Sequence, residues 1–155
     1  MIRKVSNPLP VLEETLECLL IKYQYVAAEG TLELVIDYWK DLGVDRTFLR
    51  VCFGNVSGFR RIPGLWAKAQ RFRKSYTVRA RPGTFVVQSV RVDHGVRPMR
   101  ISLGFGDDFG GIAFSCESIS AHSRNTFATK RKNEEEWDYR DADDNTPLDF
   151  YEPFA

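Results

Sequence analysis

Apolar and polar residues alternate with a period of two along much of the chain, the pattern of half-buried β-strands rather than helices. Residues 16–27 (LECLLIKYQYVA) and 31–39 (TLELVIDYW) are rich in β-branched and aromatic side chains and flank Glu29-Gly30. That dipeptide predicts a two-residue hairpin turn in which the glycine supplies a positive φ. The implied register sets Tyr25 opposite Leu34, Tyr23 opposite Ile36 and Ile21 opposite Tyr38 on one face, with Lys22–Asp37 and Gln24–Val35 on the other. Residues 9–15 read as a short helix, with Pro10 at its start and Glu13 and Glu14 in its first turn.

Further strands are expected at 47–54 (TFLRVCFG), 76–81 (YTVRAR), 84–93 (TFVVQSVRVD), 98–105 (PMRISLGF) and 111–121 (GIAFSCESISA). The GDDFGG stretch joins the last two as a hairpin loop. Its glycines do not fit a dinucleotide fingerprint, and its two aspartates would repel phosphate without completing a calcium loop. Residues 63–75 (PGLWAKAQRFRKS) read as helical or loop-like, with Leu65, Ala69 and Phe72 near helical spacing. The fold class is therefore mainly β: an antiparallel sheet or β-sandwich of about six to eight strands with one short helix, in a single domain spanning 1–155. Residues 124–146 are strongly charged and read as an exposed loop or mobile segment, whereas Phe150, Tyr151 and Phe154 are expected to dock back onto the domain.

The 155 residues are 43% hydrophobic and 28% charged, enough apolar surface to build one core and exclude wholesale disorder. No apolar run approaches the roughly 20 residues that span a bilayer, and Pro8, Pro10, Glu13 and Glu14 interrupt any secretory signal. Cys18, Cys52 and Cys116 are odd in number and lie in separate strand-like segments, which reads as reduced thiols in a cytoplasmic protein.

Charge changes the picture more. The formal net charge is only +1. Yet residues 46–100 hold thirteen Arg or Lys against the single acid Asp93, while 1–45, 101–129 and 130–155 carry −4, −2 and −5. The basic block is dominated by arginine and interleaved with aromatics. Its candidate binding residues are Arg60, Arg61, Trp66, Arg71, Arg73, Lys74, Arg79 and Arg81, suited to phosphates, stacked bases or an acidic protein. The opposing reading pairs these arginines with the acidic ends of the chain. His94 and His122 have no metal-ligand spacing, and Ser118 beside His122 does not resemble a nucleophile elbow. No catalytic residue, metal ligand or cofactor is assigned.

The succession VRPMRISLGFG and GIAFSCESI, within residues 31–123, resembles small uncharacterised bacterial β-rich proteins, some of them grouped with immunity proteins of polymorphic toxin systems. That resemblance implies a cytoplasmic, cofactor-free binder that neutralises a toxin by covering its active site, and it carries over no binding residue. The expected partner is another protein. A nucleic acid held by the Arg-rich region 46–100 is the alternative, and an enzyme with a site invisible in the sequence ranks third. No membrane partner is expected, and the oligomeric state is left open.

Overall fold

Alternation along many short strands gives each of two sheets an apolar inner face, and burying those faces against each other gives a sandwich. The computed structural model describes residues 1–38, 45–65, 70–71, 76–79, 85–130 and 137–155. In chain order the elements are β1 (Ile2–Lys4), α1 (Pro8–Glu13), β2 (Leu19–Val26), β3 (Thr31–Tyr38), β4 (Asp45–Gly54), β5 (Ser57–Ile62), β6 (Gln70–Arg71), β7 (Tyr76–Arg79), β8 (Ser89–Asp93), β9 (Met99–Gly104), β10 (Gly111–Cys116), β11 (Ser118–Lys130), β12 (Trp137–Asp141) and β13 (Pro147–Leu148). The larger sheet runs β13-β12-β11-β4-β3-β2-β7, with β1 also paired to β11, and the smaller runs β6-β5-β10-β9-β8. Every ladder between them is antiparallel. The mainly-β, antiparallel expectation holds, with a single short helix among the described residues.

The two sheets share two strands' worth of continuous ribbon. β4 leads into β5 and β10 leads into β11, and each pair of partners changes sheet at the same corner. Ser118 lies opposite Gly54 in one sheet and Ser115 opposite Ser57 in the other. Asn55 Nδ2 donates to Glu117 Oε2 at 2.7 Å, and Glu117 N–H donates to Gly54 O at 3.0 Å, tying the two bends together. A Cβ at Gly54 would meet the Ser118 hydroxyl, so a larger residue at this corner would require that hydroxyl to rotate away. Residues 111–121, which read as one strand, are therefore two that bend at Glu117.

The inner core is built from both sheets. Tyr23, Leu34, Ile36, Leu49, Val51 and Phe53 of the larger sheet meet Phe59, Ile101, Leu103, Ile112 and Phe114 of the smaller, with Leu12 of α1 closing one end. Phe53 packs edge-on to Phe114 at 4.7 Å and Tyr25 stacks on Phe59 at 4.7 Å. A second apolar cluster lies on the outer face of the larger sheet. There Ile21, Val35, Phe48, Ala128 and Tyr139 are covered by Leu148, Phe150 and Phe154. The expected docking of the C-terminal aromatics is thus observed for Phe150 and Phe154.

Several local readings are corrected. The β2–β3 hairpin exists, but four residues (27–30) separate its strands, and Tyr25 pairs with Leu32, Tyr23 with Leu34 and Gln24 with Glu33. Glu29 N–H bonds Val26 O and Gly30 N–H bonds Ala27 O, and Gly30 closes the turn at φ +61°. The slip of two residues keeps each side chain on its face. A bulge between Leu20 and Lys22 then turns Ile21 to the outer cluster, away from the Tyr23 face where the simple register put it. In α1, Pro8 and Pro10 occupy the first turn, and Glu13 and Glu14 fall at its far end. Residues 124–130 and 137–141 are strands with Arg124, Thr126, Ala128, Tyr139 and Asp141 buried, in place of the exposed loop expected across 124–146; residues 131–136 lie outside the described residues. Gln70 and Arg71 pair as a strand with Arg61 and Arg60, so the helical reading of 63–75 fails there, and 66–69 and 72–75 lie outside the described residues.

Candidate binding face on the smaller sheet

Consecutive residues of a strand point to opposite faces, and this parity decides which arginines of the basic block reach solvent. On β5, Arg61 turns inward. It is buried, donates from a terminal guanidinium nitrogen to Gly111 O at 2.7 Å, and lies over the rings of Phe85 (5.1 Å) and Phe105 (5.5 Å). It is a structural pin and is withdrawn from the candidate binding residues. Arg60 turns outward and is exposed.

The outward row through Arg60 crosses four strands. Arg60 lies opposite Ala113, Ala113 opposite Ser102, and Ser102 opposite Arg91. In the neighbouring row Ser57 lies opposite Ser115, Ser115 opposite Arg100 and Arg100 opposite Asp93. Small side chains thus form a floor between the arginines of β5 and β8, with Arg100 standing at one end. The result is a trough of about 460 Å³ whose lining includes Arg60, Arg91, Arg100 and Asp93 over Ser102, Ala113 and Ser115, with the buried Ile101 and Phe114 beneath. Three strand spacings separate β5 from β8, roughly 14 Å at ~4.8 Å each.

The electrostatics of this trough are unbalanced. Among the described residues, Arg60, Arg91 and Arg100 form no ion pair or side-chain hydrogen bond. Asp93 is the cross-strand partner of Arg100, but its Oδ1 accepts the Gly95 N–H at 3.0 Å in the turn after β8. The expectation that the basic block pairs with the acidic parts of the chain is met by Arg46, whose guanidinium lies 2.8 Å from Asp37 Oδ2, and not by these three.

The remaining candidates scatter. Arg71 pairs with Arg60 in the smaller sheet, and Arg79 pairs with Lys22 in the larger, so the backbone sends them to different sheets. Trp66, Arg73, Lys74 and Arg81 lie outside the described residues. Arg91 and Arg100 belong to the basic block but were missed as site residues. Their signal was available in the alternation of Arg91 with Val90 and Val92, and of Arg100 and Ser102 with Met99, Ile101 and Leu103.

His94, exposed in the turn after β8, lines a cavity of about 590 Å³ together with Cys116 and Glu117, but among the described residues no hydrogen bond or ion pair joins either histidine to a thiol or carboxylate. Ser118 and His122 share β11 at a separation of four residues, about 13 Å along an extended strand, too far for proton transfer between them. Among the described residues no three His, Cys, Asp or Glu side chains are placed to hold a metal ion. No described helix is long and apolar enough to cross a membrane. No protein-family model, curated protein or solved structure matches the chain.

Proposed function

We propose that the protein is a non-enzymatic binding module whose outer face on the smaller sheet receives an acidic segment of another protein. The observation that carries this reading is the set of three guanidiniums, Arg60, Arg91 and Arg100, without carboxylate partners among the described residues, over a floor of small residues. Arginine forks a carboxylate through two parallel hydrogen bonds, and a small-residue floor lets a partner backbone approach closely. This is the mode of action that the resemblance to immunity proteins implies: one protein covering a surface of another, here a toxin with an acidic face.

A nucleic acid is the less favoured partner for this face. Single strands are held by aromatic platforms as well as charge. The aromatic among the described lining residues, Phe114, is buried against Phe53 and offers no exposed ring for a base, and Asp93 sits among the arginines. The test uses the full chain and the variant Arg60→Ser/Arg91→Ser/Arg100→Ser, which alters only solvent-facing positions. Binding of a polyglutamate peptide and of a generic oligonucleotide is titrated at low and physiological salt. Polyglutamate binding that weakens at least tenfold in the triple variant is the expected result. Equal binding by both proteins would end the proposal. Oligonucleotide binding that is steeper in salt, tighter than that of polyglutamate and lost in the variant would replace it with the nucleic-acid reading.

A further inference from the structure

The larger sheet carries a different cationic surface. One outward row across it runs Lys4, His122, Arg50, Val35, Lys22, each opposite the next on the neighbouring strand. Basic groups set side by side across strands repel one another unless something negative or aromatic covers them. Here the cover is the segment 149–155. Glu152 Oε2 lies 2.8 Å from Lys22 Nζ, the Phe154 ring lies 5.0 Å below the Arg50 guanidinium, and Pro153 O accepts from Arg124 at 3.0 Å. Phe150 packs at 5.4 Å on Tyr139 and 6.0 Å on Phe48.

Two features mark this cover as an occupant rather than a strand of the fold. Its backbone bonds close turns within itself, Glu152 N–H to Asp149 O and Ala155 N–H to Glu152 O, both at 3.1 Å. It also fits its bed incompletely. Arg50 Nε and His122 Nδ1, on directly opposed residues, are buried with no hydrogen-bond partner. A buried polar atom left unpaired is a penalty that a better-fitting occupant would remove.

We infer that the outer face of the larger sheet is a second peptide-binding surface, occupied in the free chain by 149–155. Its partner is a protein segment of like chemistry, a carboxylate two positions before an aromatic ring. The carboxylate answers Lys22, the ring lies under Arg50, and a further acceptor reaches the unpaired Nε of Arg50. This surface is on the opposite side of the sandwich from Arg60, Arg91 and Arg100, so either proposal stands or falls without the other.

The probe is a fluorescent peptide with the sequence of residues 148–155, titrated by anisotropy into the full chain and into Glu152→Gln/Phe154→Ala. A tethered segment competes at an effective concentration of the millimolar order. The peptide should therefore bind the double variant at least tenfold more tightly than the unaltered chain. Adding Arg50→Met to the double variant should abolish that gain, as should the same two replacements made in the peptide. Equal affinity for the two proteins, or for the native and altered peptides, overturns the inference. A concentration-dependent dimer of the unaltered chain, with the segment exchanged between copies, overturns the assignment of the partner. Hydrogen exchange on the unaltered chain gives a reading that needs no variant. Amides of 149–155 should exchange by local opening, insensitive to low urea, while those of β3 and β4 follow global unfolding; protection of the segment equal to that of β3 and β4 counts against it.

Discussion

Replacing Asp141 by alanine probes how the last strands are fastened to the larger sheet. The Asp141 side chain has no exposed surface. It accepts from Arg124 Nε at 2.6 Å, from the backbone N–H groups of Asp143 (2.7 Å) and Asp144 (3.2 Å), and from the Met1 amino group. Burial pushes the carboxyl up, but the Met1 amino group, Arg124 and the two backbone donors outweigh it and hold the group well below the usual carboxylate range. Arg124 is itself only 8% exposed, so Asp141→Ala strands a guanidinium whose other bond is to Pro153 O. Breaking a buried pair from one side costs about 3–5 kcal/mol. At roughly 4 kcal/mol, a chain of this size melts about 8–16 °C lower. Asp141→Asn keeps the shape and should cost less. Urea unfolding and calorimetric melting at pH 7 measure both, and Arg124→Met completes a double-mutant cycle whose coupling should exceed about 1 kcal/mol. Because the folded state lowers this pKa, the stabilisation is full above the unfolded value near pH ~3.9 and is lost as pH falls below it, by at most about 1.4 kcal/mol per pH unit. A penalty under about 1 kcal/mol for Asp141→Ala, or a gap between the unaltered chain and Asp141→Asn that stays constant from pH 6 to pH 2.5, refutes the account.

Asp37 should behave in the opposite sense. Burial raises its pKa, Arg46 only partly offsets this, and Oδ1 has no hydrogen-bond partner. Asp37→Asn should therefore change stability at pH 7 by no more than about 1 kcal/mol, since it removes a desolvation penalty along with an ion pair. Acidification through the raised pKa should favour the unaltered chain relative to Asp37→Asn; urea midpoints showing the same pH trend as Asp141 would contradict this. For Cys116, burial pushes the thiol up to about 11. At pH 8 its thiolate fraction is then roughly one in a thousand, and a disulfide-exchange reagent should label it at least 100-fold more slowly in the folded chain than in urea. Equal rates in the two states would show that the strand does not bury it.

Much of the fold was legible because alternation survives wherever one sheet face is wet. β3, β4 and β9 lie where the pattern put them, β10 begins where expected but ends at Cys116, and the GDDFGG loop joins Gly104 to Gly111 in register. Alternation fixes faces but not register, which is why the β2–β3 pairing could slip by two without violating the pattern. It is also blind to a bulge inside a continuous apolar run such as CLLI, where either parity looks acceptable. The longest strand was the hardest to read. Ser118–Lys130 carries polar residues on both faces. Its outward Arg124 and Thr126 are buried only because Asp141 and the Arg46 carbonyl satisfy them. A burial that depends on polar partners supplied from elsewhere leaves no hydrophobic signature in the strand itself.

The same parity rule explains what became of the basic block. Thirteen cations in residues 46–100 looked like one surface, but a strand must divide neighbours between its faces. Arg61 is taken into the core by carbonyl and ring contacts, Arg46 is paired to Asp37, and Arg50 is covered by Phe154. Arg60, Arg91 and Arg100, without an ion pair among the described residues, come from three strands and meet because β10 and β9 lie between β5 and β8 in the sheet order. Charge counting thus identified a surplus, and sheet order determined where the unspent part of it is displayed. The larger sheet has Lys22 and Arg50 of its outward row covered by Glu152 and Phe154, whereas the described residues of the smaller sheet offer no such cover. That asymmetry is the reason the smaller sheet is assigned the face for a partner of opposite charge, and the larger one a face that a partner reaches only by competition.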